Sequence, residues 1–220
     1  GVEFFGPIML ASLPMYDLPE IRDQTDAFWA ALAKAYGGTG ELQRGGEWTA
    51  PWRDDALIFS QTCGYPFTHE FAGQLTYVAT PHYAADGCEG PNYRSLIFAR
   101  KLEPLAAFKG RTAVINSKDS MSGMLALKLL FAPLAEQSAF FASTIESGGH
   151  AASLAAVQSK TADVCACDCV TAALLRKYRP QALEGLVEIA RSPLVPGLPY
   201  VTRSGNVYRL RDALIHVIGD

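Results

Sequence analysis

Gly110-Arg111-Thr112-Ala113-Val114-Ile115-Asn116-Ser117-Lys118-Asp119-Ser120-Met121-Ser122-Gly123-Met124-Leu125-Ala126-Leu127-Lys128-Leu129-Leu130-Phe131 decides the fold. Its first part, 112–116, is a short β-branched and apolar run and reads as a strand. The next seven residues, 117–123, are polar and small, and 124–131 is an apolar helix. The same alternation repeats downstream. Ala142-Ser143-Thr144-Ile145 is a strand, and Ser147-Gly148-Gly149-His150 opens a helix through Val157. Ala162-Asp163-Val164-Cys165-Ala166-Cys167 is a strand, and Asp168 opens the helix through Tyr178. Strands alternating with helices predict a parallel sheet with right-handed crossovers.

Upstream, Ile8-Met9-Leu10-Ala11, Leu57-Ile58-Phe59, Leu75-Thr76-Tyr77-Val78-Ala79 and Leu96-Ile97-Phe98-Ala99 are further strands. Asp17-Leu18-Pro19-Glu20 reads as an N-cap, a first-turn proline and a glutamate three residues on. The helix that follows is expected to bury Ile21, Thr25, Phe28, Leu32 and Tyr36 and to stop at Gly37-Gly38. Segments 186–190 and 198–201 are extended around Pro193, Pro196 and Pro199, and 210–217 is helical.

The bulk numbers bound the function. The chain has 220 residues, 49% hydrophobic and 19% charged, with a formal net charge of −3. That suffices for one large α/β domain or two small lobes. No dense Lys/Arg run is present, which argues against a nucleic-acid partner. The longest near-apolar run, 125–135, is broken by Lys128 and too short to span a bilayer. The start, Gly-Val-Glu-Phe-Phe-Gly-Pro, lacks a basic region followed by an apolar one, so no intact signal peptide is expected.

In parallel α/β sheets ligands lie beyond the carboxyl ends of the strands. Here those positions carry Ser120, Met121 and Ser122, then His150, then Asp168. Hydroxyls, an imidazole and the orphan N–H groups of helix starts can hold an anion without Lys or Arg. Taken singly, each feature also reads as a cap or turn; three in a row favour one shared cleft. A carboxylate at Asp168 repels a fully ionised anion but can accept the proton of a P–OH group, favouring such ligands over sulfate. Tyr16, Tyr65 and Tyr93 flank strands in Gly/Pro-rich loops, where they suit either a lid over a small ligand or half-buried packing.

Five cysteines are too few for a disulfide scaffold. Cys63 and Cys88 sit in turn-like sequence and are able to pair in an oxidising compartment or to remain thiols. Cys165, Cys167 and Cys169 lack the second pair a zinc site needs; Cys165 and Cys167 share a strand face and read as small core residues. Cys63 as a nucleophile has no base in its sequence context.

The run Gly110-Arg111 to Asn116 followed by Asp119-Ser120-Met121-Ser122-Gly123 resembles the strand, S-x-S-G, helix element of the phosphate/phosphite/phosphonate ABC transporter substrate-binding proteins. Gly148-Gly149-His150 with Ser153 and Val157, then Ala162-Asp163-Val164 to Asp168, resembles that family's next two elements. Asn92-Tyr93-Arg94-Ser95-Leu96 resembles its segment leading into the second lobe. Ser12-Leu13-Pro14-Met15-Tyr16-Asp17 and Gln61-Thr62-Cys63-Gly64-Tyr65-Pro66 look like a short subgroup.

The resemblance implies an α/β type 2 periplasmic-binding fold. Each of its two lobes has a mainly parallel sheet flanked by helices, and two crossing segments join them. Lobe 1 is expected at 1–96 plus 193–220 and lobe 2 at 97–192, with the ligand cleft between them. It implies a solute-binding protein that captures a small anion by hinge closure and delivers it to the membrane subunits of an ABC importer. Ser120, Met121, Ser122 and His150 would bind oxyanion oxygens, Asp168 would read a ligand proton or amine, and Tyr65 and Tyr93 would come from the other lobe. Met121 stands where the family often has Thr, so one hydroxyl contact is lost. A periplasmic or membrane-anchored monomer without cofactor is expected; a cytoplasmic place is the alternative, since the chain carries no signal peptide. The other readings are an enzyme on the same scaffold, resembling thiamine-pyrimidine synthesis, with His150 or a cysteine as reactant, and a ligand-sensing module.

Overall fold

The computed structural model describes residues 6–135 and 139–219; the first five residues, on which the reading of the N-terminus largely rests, lie outside them. The strands are β1 (Leu10–Ser12), β2 (Leu57–Gln61), β3 (Thr76–Ala79), β4 (Asn92–Tyr93), β5 (Ser95–Ala99), β6 (Thr112–Ile115), β7 (Ser143–Glu146), β8 (Val164–Asp168), β9 (Val187–Arg191), β10 (Val195–Pro196) and β11 (Tyr200–Thr202). The helices are α1 (Arg22–Tyr36), α2 (Gly64–Thr68), α3 (Ala126–Phe131), α4 (His150–Gln158), α5 (Cys169–Tyr178) and α6 (Val207–Ile218). A π-helical turn, Met121–Leu125, runs directly into α3. Among the described residues no helix is long and apolar enough to cross a membrane.

The chain divides into two units, one ending at Pro81 and resuming at Leu198, the other His82–Gly197. It thus changes unit near 81/82 and 197/198, whereas the sequence placed these changes at 96/97 and 192/193. Strands β4, β5 and β10 account for the difference, because their pairing partners all lie in the second unit.

The first unit has a four-stranded sheet in the order β1-β2-β11-β3. Its helices α1 and α6 each bury a stripe at i, i+3, i+4 spacing: Trp29, Leu32 and Ala33 on α1, Leu210, Ala213 and Leu214 on α6. Both stripes join Phe59, Val78 and Tyr200 in one core, where apolar area removed from water drives the packing. Trp29 stacks on Phe59 with centroids 6.0 Å apart. The buried stripe of α1 is centred on Trp29; of the expected set only Leu32 is fully buried. A second cluster joins Trp52, Leu57, Phe71, Leu75 and Val201. Trp52 Nε1 donates to Ser60 Oγ at 2.9 Å and Ser60 donates to Ser12 O at 2.6 Å, so buried Ser60 is satisfied on both sides.

Asp17 does not cap the helix as expected. The helical start is a 3₁₀ turn, Pro19–Ile21, without a side-chain cap, and Asp17 instead accepts from Arg44 Nε at 2.5 Å and Nη2 at 3.0 Å. A bidentate guanidinium outcompetes the local cap for the same carboxylate. The helix ends at Gly37-Gly38 as read, with Gly38 N–H bonding Ala33 O at 2.9 Å.

The second unit has a five-stranded sheet in the order β7-β6-β8-β5-β9. β7, β6 and β8 run parallel, and β5 pairs antiparallel with both β8 and β9. In the first unit β1 and β2 are parallel and β11 is antiparallel to both its neighbours. Both sheets are therefore mixed, where mainly parallel ones were expected. A parallel partner demands a crossover on one face of the sheet. No helix lies between β3 and β5 or between β10 and β11, so no such crossover sets the direction of β5 or β11.

Along β6 and β8, Ala113, Ile115, Val164 and Ala166 face a core with Phe108, Leu127 and Phe131. Alternation sends Cys165 and Cys167 to the opposite face, where α4 and α5 pack on β8. Both are 0% exposed, and burial pushes the Cys165 thiol up to about 12 and the Cys167 thiol well above its ordinary value. They are core residues, as the alternation indicated.

Candidate functional site

Three adjacent parallel strands, β7, β6 and β8, end at the same edge of the second unit. Each hands over there to a helical start, which is the position where α/β sheets bind ligands. After β6, Ser120 is the extended residue before the π-turn, and its Oγ accepts from Gly123 N at 3.0 Å. That hydroxyl lies 3.5 Å from Ser122 Oγ. A Cβ on Gly123 would stand 1.8 Å from Asn116 Oδ1, so only glycine lets the turn close over Asn116.

After β7, the chain turns through Ser147-Gly148-Gly149. Ser147 N donates to Ile115 O and Gly148 N to Asn116 O, each at 2.9 Å, tying this loop to the one after β6. Ser147 Oγ also pairs with Ser153 Oγ at 2.7 Å. His150 is the first residue of α4. After β8, Asp168 caps α5, its Oδ1 accepting from Thr171 N at 2.9 Å.

These starts bring their side chains together. Ser122 Oγ is 2.9 Å from His150 Nε2, and the same nitrogen is 3.4 Å from Asp168 Oδ2. The His150 and Asp168 side chains retain only 12% and 5% exposure. The other ring nitrogen, His150 Nδ1, is buried with no hydrogen-bond partner in the protein, as is Asn116 Oδ1. Buried polar atoms are normally satisfied, so these two, at the ends of adjacent strands β6 and β7, stand out from the rest of the unit's polar network.

Four of the sequence-derived residues, Ser120, Ser122, His150 and Asp168, thus form one cluster. Met121 lies between the two serines as the first residue of the π-turn. Tyr93 belongs to the same unit and not to the other: β4 pairs with β10, Tyr93 opposite Val195, and the side chain is 3% exposed. It packs as part of this unit. Tyr16 and Tyr65 belong to the first unit, where the Tyr65 ring stacks on His69 with centroids 4.0 Å apart.

The structure holds no Cys63–Cys88 disulfide; Cys88 Sγ lies 3.5 Å from Cys169 Sγ instead. The turn carrying Cys88 rests on the start of α5, and Cys63 precedes α2 in the first unit.

One residue the sequence did not single out is Ser95. Its hydroxyl donates to Ser122 O at 2.6 Å, and its N–H donates to Ser192 Oγ at 2.8 Å. β5 places it opposite Asp168. No local pattern announces such a residue, since its partners are remote in sequence.

The second unit thus carries, at the ends of its parallel strands, an unsatisfied imidazole among serines and a capping aspartate. A family-wide profile described as "ABC transporter, phosphonate, periplasmic substrate-binding protein" matches residues 54–218. The chain belongs to that family. Among solved structures it is similar to a binding protein component of an ABC phosphonate transporter from Pseudomonas aeruginosa, at 17% identity and a TM-score of 0.73, covering 96% of this chain and 73% of that one. It is similar to PhnD1 from Prochlorococcus marinus in complex with methylphosphonate, at 15% identity and a TM-score of 0.74, covering 96% and 83%. A histidine kinase sensor domain with similarity to periplasmic binding proteins shares 17% identity at a TM-score of 0.66, covering 96% and 90%. No curated protein matches the sequence.

Proposed function

We propose that the chain binds a small phosphorus oxyanion, a phosphonate, phosphite or phosphate, at the Ser120–Ser122–His150–Asp168 cluster and presents it to the membrane subunits of an ABC importer as a monomer outside the cytoplasmic membrane. The observation that carries this reading is the convergence of Ser122 and Asp168 on His150 Nε2, with Nδ1 buried and unpartnered. Nδ1, the serine hydroxyls and the first N–H groups of the π-turn and α4 supply donors to anion oxygens. Asp168 supplies an acceptor that a P–OH group can satisfy and sulfate cannot. Met121 contributes its backbone N–H only.

The geometry favours binding over hydrolysis. A Ser–His–Asp relay needs the carboxylate on the ring nitrogen opposite the serine. Here serine and carboxylate share Nε2, so Asp168 cannot orient the ring for proton transfer from Ser122.

Isothermal titration calorimetry with methylphosphonate, phosphite, phosphate and sulfate tests the reading. Tight binding of at least one phosphorus ligand, with sulfate much weaker, is expected. Silence across the panel, or a preference for sulfate, would sink it.

A further inference from the structure

Two thiols of the second unit meet beside the cluster without belonging to it. Cys88 closes a turn at 85–88, its N–H donating to Ala85 O at 3.0 Å. Cys169 is the first residue of α5, directly after Asp168, and its N–H donates to Arg94 O at 2.9 Å. Their sulfurs are 3.5 Å apart, a displacement of only about 1.5 Å from the ~2 Å of a disulfide bond. The approach depends on Gly87. At φ 104° a Cβ there would stand 2.8 Å from Cys169 Cβ, so glycine alone lets the turn lie this close to α5.

Access to the pair is one-sided. Cys88 is half-buried, and Cys169 is 0% exposed. Burial, then the contact with Cys169, pushes the Cys88 thiol up to about 12. At neutral pH it is therefore a slow nucleophile and persists as a thiol until a disulfide oxidant engages it.

We infer that Cys88 and Cys169 are a dithiol modification site that closes to an intramolecular disulfide by exchange with a disulfide oxidant, either a protein dithiol oxidase or oxidised glutathione. The Cys88 thiolate attacks one sulfur of R–S–S–R and releases R–S⁻. The Cys169 thiol gives up its proton and attacks Cys88 Sγ, releasing the second R–S⁻. Two protein thiols are oxidised, one R–S–S–R is reduced, and two R–SH leave with the two protons. The new bond joins the 85–88 turn to the residue that follows Asp168, fixing the start of α5 and with it the carboxylate that faces His150 Nε2. Bond formation does not depend on what the cluster binds.

The test treats the reduced chain with oxidised glutathione at mildly alkaline pH, alkylates remaining thiols after denaturation, and reads intact mass and an unreduced peptide map. Loss of two hydrogen atoms and a Cys88–Cys169 cross-linked peptide are expected, with Cys63, Cys165 and Cys167 still alkylated. Cys88→Ser should keep its circular dichroism spectrum and lose the cross-link. A glutathione adduct that stays on Cys88 with Cys169 alkylatable would overturn the inference. So would a bond through Cys63, or a mass unchanged after prolonged exposure.

Discussion

Ser122 Oγ and His150 Nε2 stand 2.9 Å apart although 28 residues separate them in the chain. Their meeting follows from the parallel pairing of β6 with β7, which places the residues after each strand at one edge. The contact is held from behind by Ser95, whose hydroxyl anchors the Ser122 carbonyl.

Ser122→Ala removes the hydroxyl proposed to donate to a ligand oxygen and leaves the turn intact, because Ser120 makes the cap. Affinity for a phosphorus oxyanion should fall about tenfold to a hundredfold, the ~1.5–3 kcal/mol of a hydrogen bond to a charged group. The thermal midpoint should barely move. Calorimetry paired with a melting curve separates the two.

Asp168→Asn keeps an oxygen to cap α5 and replaces the acceptor-only oxygen that faces His150. Helix content should persist, and the preference for P–OH ligands over sulfate should narrow. Asp168→Ala should in addition cost about 1 kcal/mol of stability through the lost cap. Competition titrations and urea unfolding measure both effects.

Gly123→Ala drives a methyl into Asn116 Oδ1, 1.8 Å away. The substitution should destabilise by about 1–3 kcal/mol, the range for overpacking, and weaken ligand binding. Shortening Asn116 to Ser in the same chain should restore much of the stability, a coupling a double-mutant cycle reads directly.

The Asp163 carboxyl is held below its ordinary range. Burial works against the charged form, but the Thr112 N–H and the Arg100 guanidinium outweigh it, at 3.0 and 2.7 Å. With the folded value below the unfolded one, this stabilisation is full above the unfolded value of about 4 and is lost as pH falls through the folded value. Urea midpoints should therefore decline below about pH 4 more steeply in the native protein than in Asp163→Asn. Parallel slopes would show that the carboxylate does not contribute.

Much of the second unit was legible along the chain because its determinants are local. The strand at 112–115, the serine cap before the π-turn, the Gly-Gly before His150 and the cap at Asp168 each depend on neighbours within a few residues. Where a distant partner competes, local reading went astray. Asp17 looked like a cap until Arg44, 27 residues on, engaged it. Tyr93 was expected from the other lobe, but its strand pairs with β10, about a hundred positions downstream, and so lies in the second unit.

The amino-acid sequence by itself determined the βα alternation, the type of residue at each strand end and the family to which those motifs belong, since period and capping chemistry act over one or two turns of chain. Only the tertiary structure decided the antiparallel course of β5 and the part played by Ser95. It alone paired Cys88 with Cys169 and gathered Ser122 and Asp168 onto a single nitrogen of His150. Those facts rest on contacts between residues 18 to 97 positions apart, and no local propensity encodes which remote segment will arrive.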